Sequence, residues 1–95
     1  MDYSKYQDLK IRLLEPGILE IVMGDEASGR LSTAGHRMHA ELAEIWRDVD
    51  RDPEVRVAIL RGAGKGFSAG GDFSLIDDII RDFDTRARVW REARD

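Results

Sequence analysis

Hydrophobic and polar residues alternate near the start of the chain, and this alternation predicts a β-hairpin. Leu9, Ile11 and Leu13 are separated by charged residues, which is the period of two expected for a half-buried strand. The Pro-Gly pair at 16–17 then predicts a turn. The apolar run at 18–23 predicts a second strand that pairs with the first.

The apolar spacing becomes helical after residue 34, so a helix is predicted to follow the hairpin. A polar stretch at 24–33 comes first and predicts a loop, in which Ser32 or Thr33 is a candidate for the helix cap. The helix is expected to end before Pro53, because proline disfavours helical backbone in the residue that precedes it. The predicted core stripe consists of Met38, Leu42, Ile45, Trp46 and Val49.

A third strand is predicted where Val55, Val57 and Ile59 alternate with other residues. The helix joins this strand to the second one, and such a connection predicts a parallel βαβ unit. We expect the third strand to be the central one of the sheet. Alternating strands and helices of this kind predict the α/β class.

Two helices are predicted after the third strand. Asp72 is placed to cap the first, which runs from about residue 73 to residue 83, and a strongly charged helix with Val89 and Trp90 follows from about 84 to 95. Three strands and two amphipathic helices are few for a complete α/β domain. Residues 1–95 are therefore interpreted as the N-terminal portion of a single domain, whose charged helix leads into further chain.

Composition narrows the class of protein. The 95 residues are 42% apolar and 36% charged, which is typical of a globular protein, and the net charge of −4 gives no sign of nucleic-acid binding. The chain contains no cysteine, so a disulfide scaffold and a thiolate metal site are excluded. No apolar segment has the form of a secretion signal or the length of a membrane span, and a cytoplasmic protein is expected.

Several side chains that can do chemistry are interpreted as surface groups. His36 and His39 lie three residues apart without further ligands nearby, so surface histidines are expected rather than a metal site. Tyr3 and Tyr6 fall in an end of the chain that is expected to be mobile. Three glutamates in and after the first predicted helix are also expected at the surface, and these are Glu41, Glu44 and Glu54.

The stretch GKGFSAGGD, residues 64–72, places much glycine between a strand and a helix. One interpretation is a tight turn, because glycine supplies positive φ wherever a turn requires it. A P-loop is rejected, since Lys65 is followed by Gly66 instead of serine or threonine. A dinucleotide fingerprint fits Gly64, Gly66 and Ala69, but the helix does not begin directly after it.

An oxyanion hole is a further interpretation of the same loop. Residues 69–72 combine glycine, which permits close approach of a substrate, with the positive N-terminal end of a helix. Backbone N–H groups placed there can stabilise a developing negative charge. Arg61 and Lys65 flank the loop, and exposed charges are expected there in preference to ligands for a phosphate.

The segment VAILRGAGKGFSAGGDFSLI resembles the signature region of the crotonase superfamily, the enoyl-CoA hydratase/isomerase family. The shared pattern is an apolar strand, a small glycine-containing turn, then Phe-Ser-Ala-Gly-Gly-Asp and an apolar helix. The upstream helix with its acidic-Pro turn and the opening hairpin are also similar, so the resemblance covers about residues 8–83. It implies a crotonase-like fold, a ββα-type spiral, of which this chain is the N-terminal portion.

The resemblance implies roles at a site for acyl-CoA thioesters. The backbone N–H of Gly71 is implied as one donor of an oxyanion hole. The two residues before it are implied to line the path of the pantetheine, and the two after it the acyl end. A threonine upstream takes the place of a family alanine whose backbone holds the thioester part. These substrate-binding positions are Thr33, Ala69, Gly70, Asp72 and Phe73.

The implied activity is that of an enoyl-CoA hydratase or isomerase, with hydration of 2-enoyl-CoA as the default reaction. Coenzyme A enters as part of the substrate, no separate cofactor is implied, and the family's usual assembly implies a homotrimer or hexamer. The family's second donor and its catalytic glutamates lie in later segments, so the 95 residues alone are expected to be inactive. The alternative is a truncated, non-catalytic module that binds acyl-CoA or associates with a full-length subunit.

Overall fold

The N-terminal hairpin forms where the alternation predicts it. The computed structural model describes residues 2–95, and within them β1 (Leu9–Glu15) pairs antiparallel with β2 (Gly17–Met23). Pro16 occupies the turn, and Gly17 enters β2 with a φ of 87°, a conformation that favours glycine. The prediction of both strands is confirmed.

The third strand, β3 (Val55–Gly62), lies parallel to β2, so the predicted βαβ unit is confirmed. Its predicted position at the centre of the sheet is wrong, because the strand order is β1-β2-β3. β1 covers one edge of β2, and β3 covers the other. Nearly all of β2 is therefore buried, whereas Val57 on β3 is 54% exposed.

Helix α1 (His36–Arg51) packs against the sheet and completes the core. Trp46 was expected in this core, but its side chain is 40% exposed. Successive helical residues are rotated by about 100°, so Trp46 points away from the sheet when its neighbour Ile45 is fully buried. The buried core side chains come from the N-terminal segment, β1, β2 and α1, and they are Tyr6, Leu9, Leu19, Ile21, Met23, Met38 and Ile45.

The N-terminal segment is tied to α1, which corrects two expectations. Tyr6 is only 6% exposed and donates its hydroxyl hydrogen bond to Asp48, while the Tyr3 hydroxyl donates to Asp52 at 2.7 Å. Neither tyrosine therefore belongs to a mobile end. Glu41 was expected at the surface, but the same segment covers it and leaves it 8% exposed.

The ends of the helices show where local sequence signals hold. Asp72 caps α2 (Phe73–Arg81) as predicted, but α2 ends two residues earlier than expected, because Asp82 caps α3 (Phe83–Arg94). Neither Ser32 nor Thr33 caps α1, whose N-cap is Gly35 without a side-chain bond. None of the helices in residues 2–95 is both long and apolar enough to traverse a lipid bilayer.

Candidate functional site

The glycine loop begins with a close approach between two parts of the backbone. A Cβ placed on Gly62 would lie 1.9 Å from the carbonyl oxygen of Phe67, so the loop folds back directly over the end of β3. The tight-turn interpretation is therefore correct for this first half of the loop. Gly64 supports the same turn with a φ of 81°.

The second half of the loop pairs with the segment that precedes α1. The N–H of Ala69 donates to the carbonyl of Ser32 at 2.7 Å, and the N–H of Ala34 donates to the carbonyl of Gly70 at 2.9 Å. The N–H of Asp72 returns to the carbonyl of Ala34 at 2.9 Å. These bonds form an isolated parallel bridge between Ala34 and Gly71, which fixes the loop to the start of α1.

This pairing leaves the N–H of Gly71 without an acceptor among residues 2–95. Its neighbours are all engaged, since the N–H of Gly70 donates to the Ser68 hydroxyl at 3.0 Å. In a bridge of this type the bonds to Ala34 come from the residues on either side of Gly71, so its own N–H faces away from Ala34. A free donor therefore lies immediately before the N-terminus of α2, where the helix dipole is positive.

The two central glycines have different reasons to be glycine. Gly70 has a φ of 96°, in the left-handed region, while a Cβ there would meet no atom within 4 Å. Gly71 has no positive φ, and a Cβ on it would make an ordinary contact of 3.5 Å with Ile76. The loop therefore requires glycine at position 70 for its conformation, whereas position 71 has room for a methyl group.

The other predicted site residues surround this donor in different ways. Thr33 is exposed beside the bridge and, with Asp72, lines a cleft of about 520 Å³. The Asp72 carboxylate accepts from both the N–H and the hydroxyl of Ser74, so it is engaged as the cap of α2. Phe73 is 87% exposed and offers an unpacked ring just after the cap. The structure thus brings Thr33, Ala69, Gly70, Asp72 and Phe73 to one end of α2.

The two basic residues that flank the glycine loop, Arg61 and Lys65, do not contact the N–H of Gly71. Arg61 is held on the sheet, where its Nε donates to Glu20 at 3.0 Å and its Nη2 to Glu26. Glu20 also accepts from Arg12, and these hydrogen bonds from two guanidinium groups hold the pKa of its carboxyl below the ordinary value. Lys65 is exposed in the loop.

His36 is a residue near the site whose contacts the sequence analysis missed. It follows the bridge residue Ala34 by two positions, and its Nε2 lies 2.7 Å from a carboxylate oxygen of Asp78 on α2. Its Nδ1 lies 2.5 Å from Nη2 of Arg88 on α3. The His36 side chain is 41% exposed, which agrees with the expected surface position, but the sequence analysis missed that one imidazole joins three helices. The only local signal was its place in the first turn of α1, which says nothing about partners 42 and 52 residues away.

Known proteins resemble this chain in sequence and in structure. It is 38% identical over 61 residues to 1,2-epoxyphenylacetyl-CoA isomerase of Escherichia coli (strain K12), covering 64% of this chain and 22% of that protein. It is 56% identical over 34 residues to (E)-benzylidenesuccinyl-CoA hydratase of Thauera aromatica, covering 35% of this chain and 13% of that protein. No protein-family profile matches the chain.

Among solved structures, an enoyl-CoA hydratase/isomerase from Mycobacterium paratuberculosis superposes with a TM-score of 0.82 at 32% identity. The superposition covers 92% of this chain and 34% of the other. The chain therefore spans about a third of that structure and 22% of the first curated relative. The crotonase-like α/β fold expected from the FSAGGD motif is confirmed. Over the part of the fold that it spans, the chain is similar to members of the enoyl-CoA hydratase/isomerase family of the crotonase superfamily, as the sequence pattern predicted.

Proposed function

We propose that this chain supplies one N–H of an oxyanion hole in an enzyme that acts on acyl-CoA thioesters. The observation that carries the proposal is the N–H of Gly71, which has no acceptor among residues 2–95 and lies before the positive end of α2. When a thioester is converted towards its enolate, its oxygen gains negative charge. A fixed N–H directed at that oxygen stabilises the charge without having to reorganise.

The residues around Gly71 support the same orientation of substrate. Ala69 and Gly70 carry no bulky side chain, and their N–H groups already donate to Ser32 and Ser68, so they line a path for pantetheine without competing for the thioester. Thr33 lies along the same bridge and takes the thioester side. Phe73 and Ile76 provide exposed apolar surface on the acyl side of the donor. Coenzyme A arrives with the substrate, and we propose no further cofactor.

We propose hydration of a 2-enoyl-CoA as the reaction of the whole protein, with isomerisation through the same enolate as the related outcome. Two relatives carry names of these kinds, a hydratase and an isomerase that both act on CoA thioesters. The second N–H donor and the acid–base carboxylates are assigned to parts of the fold outside residues 2–95. Asp72 is not assigned as the base, because its carboxylate caps α2.

The proposal includes assembly as a homotrimer or hexamer in the cytoplasm. It is supported by large apolar side chains that α2 and α3 leave exposed, namely Phe73, Ile76, Ile80, Phe83 and Trp90. Exposed apolar surface of this extent is typical of regions that another chain or segment covers. Light scattering across a concentration series tests the assembly, and a monomer at all concentrations would contradict it for this chain.

A binding experiment on the 95-residue chain tests the role of Gly71. The ¹⁵N-labelled protein is titrated with crotonyl-CoA and, separately, with free coenzyme A, which has no thioester oxygen. The Gly71 amide resonance is expected to move with the thioester and to stay in place with coenzyme A. An equal shift of the Gly71 resonance with both ligands would show that its N–H does not bind the thioester oxygen.

Two variants separate the N–H from the side-chain position. Gly71→Ala keeps the N–H and fits the space beside Ile76, so crotonyl-CoA should bind with unchanged affinity. Gly71→Pro removes the N–H, so the affinity for crotonyl-CoA should fall by roughly tenfold. The affinity for free coenzyme A should stay unchanged. Binding without hydration of crotonyl-CoA is expected of the 95-residue chain, because the acid–base carboxylates are assigned outside it. In the full-length enzyme Gly71→Pro should abolish turnover.

A further inference from the structure

Helix α3 is joined to α1 by hydrogen bonds between charged or titratable side chains. Arg88 bonds to His36, Glu92 bonds to His39 at 2.8 Å, and Arg47 bonds to Asp95 at 3.4 Å. No residue of α3 is buried. Half-buried side chains such as Val89 also hold α3, and Arg86 donates to the carbonyls of Ile79 and Ile80 on α2. The polar contacts with α1 are the part of this attachment that a change in one charge can alter.

The geometry assigns the position of the proton on His36. A guanidinium group can only donate hydrogen bonds, so the Nδ1 atom that lies 2.5 Å from Arg88 must offer a lone pair. The proton of the neutral ring is then on Nε2, which donates to Asp78 at 2.7 Å. Neutral His36 thus accepts from α3 with one nitrogen and donates to α2 with the other.

A second proton on His36 affects these two contacts in opposite ways. It would occupy Nδ1, remove the acceptor for Arg88 and place two positive groups against each other. The contact with Asp78 would become a full ion pair and hold α2 in place. His39 on α1 and Glu92 on α3 belong to the same network, and the Glu92 carboxylate accepts from Arg88 with both oxygens at 2.9 and 3.0 Å. Protonation of His39 strengthens its bond to Glu92 and so opposes release.

We propose that His36 is a pH-sensitive latch that holds α3 against α1 when neutral and releases α3, but not α2, when protonated. The latch lies two residues from Ala34, which bridges Gly71, so it adjoins the segment that fixes the glycine loop to α1. The inference rests on the helix contacts and needs no substrate.

The experiment follows backbone order in the ¹⁵N-labelled 95-residue chain between pH 8 and pH 5. Imidazole ¹⁵N shifts should first show unprotonated Nδ1 and protonated Nε2 on His36 at pH 8. Hydrogen-exchange protection of α3 amides, corrected for intrinsic rates, should fall by roughly threefold to tenfold as His36 titrates, given partly exposed partners. Protection of α2 should not fall over the same range.

Matched variants separate the latch from general acid sensitivity. His36→Gln cannot gain a proton and should remove the pH dependence of α3 protection. His39→Gln removes the other histidine of the cluster and should keep that dependence. Arg88→Gln should leave α3 weakly protected at every pH. Unchanged pH dependence in His36→Gln, the opposite tautomer at pH 8, or a joint loss of α2 and α3 protection would overturn the proposal.

Discussion

The carboxylate of Glu41 accepts a hydrogen bond from the backbone N–H of Leu9 at 3.1 Å, and both residues are buried. The same carboxylate accepts from the N–H groups of Gln7 and Asp8 at 2.9 to 3.1 Å. Three successive backbone donors that enter β1 are therefore satisfied by one side chain of α1. This arrangement fixes the start of the hairpin to the helix that also begins beside Gly71.

Replacement of Glu41 should destabilise the fold strongly. Glu41→Ala leaves three backbone donors without their acceptor and should lower the free energy of unfolding by about 2 to 3 kcal/mol. Glu41→Gln retains one acceptor oxygen and should cost about 1 to 2 kcal/mol. Urea denaturation measures both values. Glu44→Gln is the matched control, since that exposed carboxylate bonds to Lys5 and should change stability by less than about 0.5 kcal/mol.

The attachment of the N-terminal segment should weaken in acid. The Tyr6 hydroxyl and then Lys5 hold the pKa of Asp48 below its ordinary value, and the Tyr3 hydroxyl does the same for the pKa of Asp52. Because these pKa values are lower in the folded state, folding favours the ionised carboxylates. Their contribution is complete above the unfolded-state pKa of about 3.9 and is lost as the pH falls through the lowered folded values.

Tyr6→Phe isolates part of this acid dependence, because it keeps the ring in the core and removes only the donor to Asp48. The difference in unfolding free energy between the wild-type chain and this variant should be largest near neutral pH and should shrink below about pH 4. Urea titrations between pH 7 and pH 2 measure it. A difference that stays constant with pH would mean that the Asp48 bond is not linked to folding.

Local pattern predicted the elements of this fold, because alternation and capping act over a few residues. The strands at 9–15 and 17–23 and the cap at Asp72 are examples. Local pattern failed where distant segments meet. Tyr3 bonds to a residue 49 positions away, and Glu41 is buried only because the N-terminal segment covers it. No spacing within α1 indicates that one of its glutamates is covered.

In the candidate site, too, local sequence predicted some features and tertiary contacts determine the others. The motif placed Gly71 before the cap of α2 from sequence alone. That its N–H lacks an acceptor among residues 2–95 depends on the bridge to Ala34, 37 positions upstream, and the order of hydrogen bonds in that bridge is a tertiary feature. The same is true of His36, whose partners lie on two later helices.

Alanine substitutions should distinguish the two central glycines of the loop. Gly70→Ala forces a side chain into the left-handed region and should cost about 1 to 2 kcal/mol of stability. Gly71→Ala makes only an ordinary contact with Ile76 and should change stability by less than about 0.5 kcal/mol. Thermal or urea unfolding of the two variants in parallel measures the contrast. Equal costs at both positions would show that φ at Gly70 is not the determining factor.

Gly62→Ala should lower the stability far more than Gly70→Ala or Gly71→Ala does. Its Cβ would lie 1.9 Å from the carbonyl oxygen of Phe67 and 2.4 Å from that of Gly66, and backbone atoms cannot rotate away as a side chain does. Relief requires the loop to move off β3, which should cost about 3 kcal/mol or more. Because this loop carries Ala69, Gly70 and Gly71 to the bridge with α1, the Gly71 amide resonance should also shift in the folded fraction. Gly71→Ala serves as the control of equal chemistry, and near-wild-type stability of Gly62→Ala would contradict the close backbone approach at the end of β3.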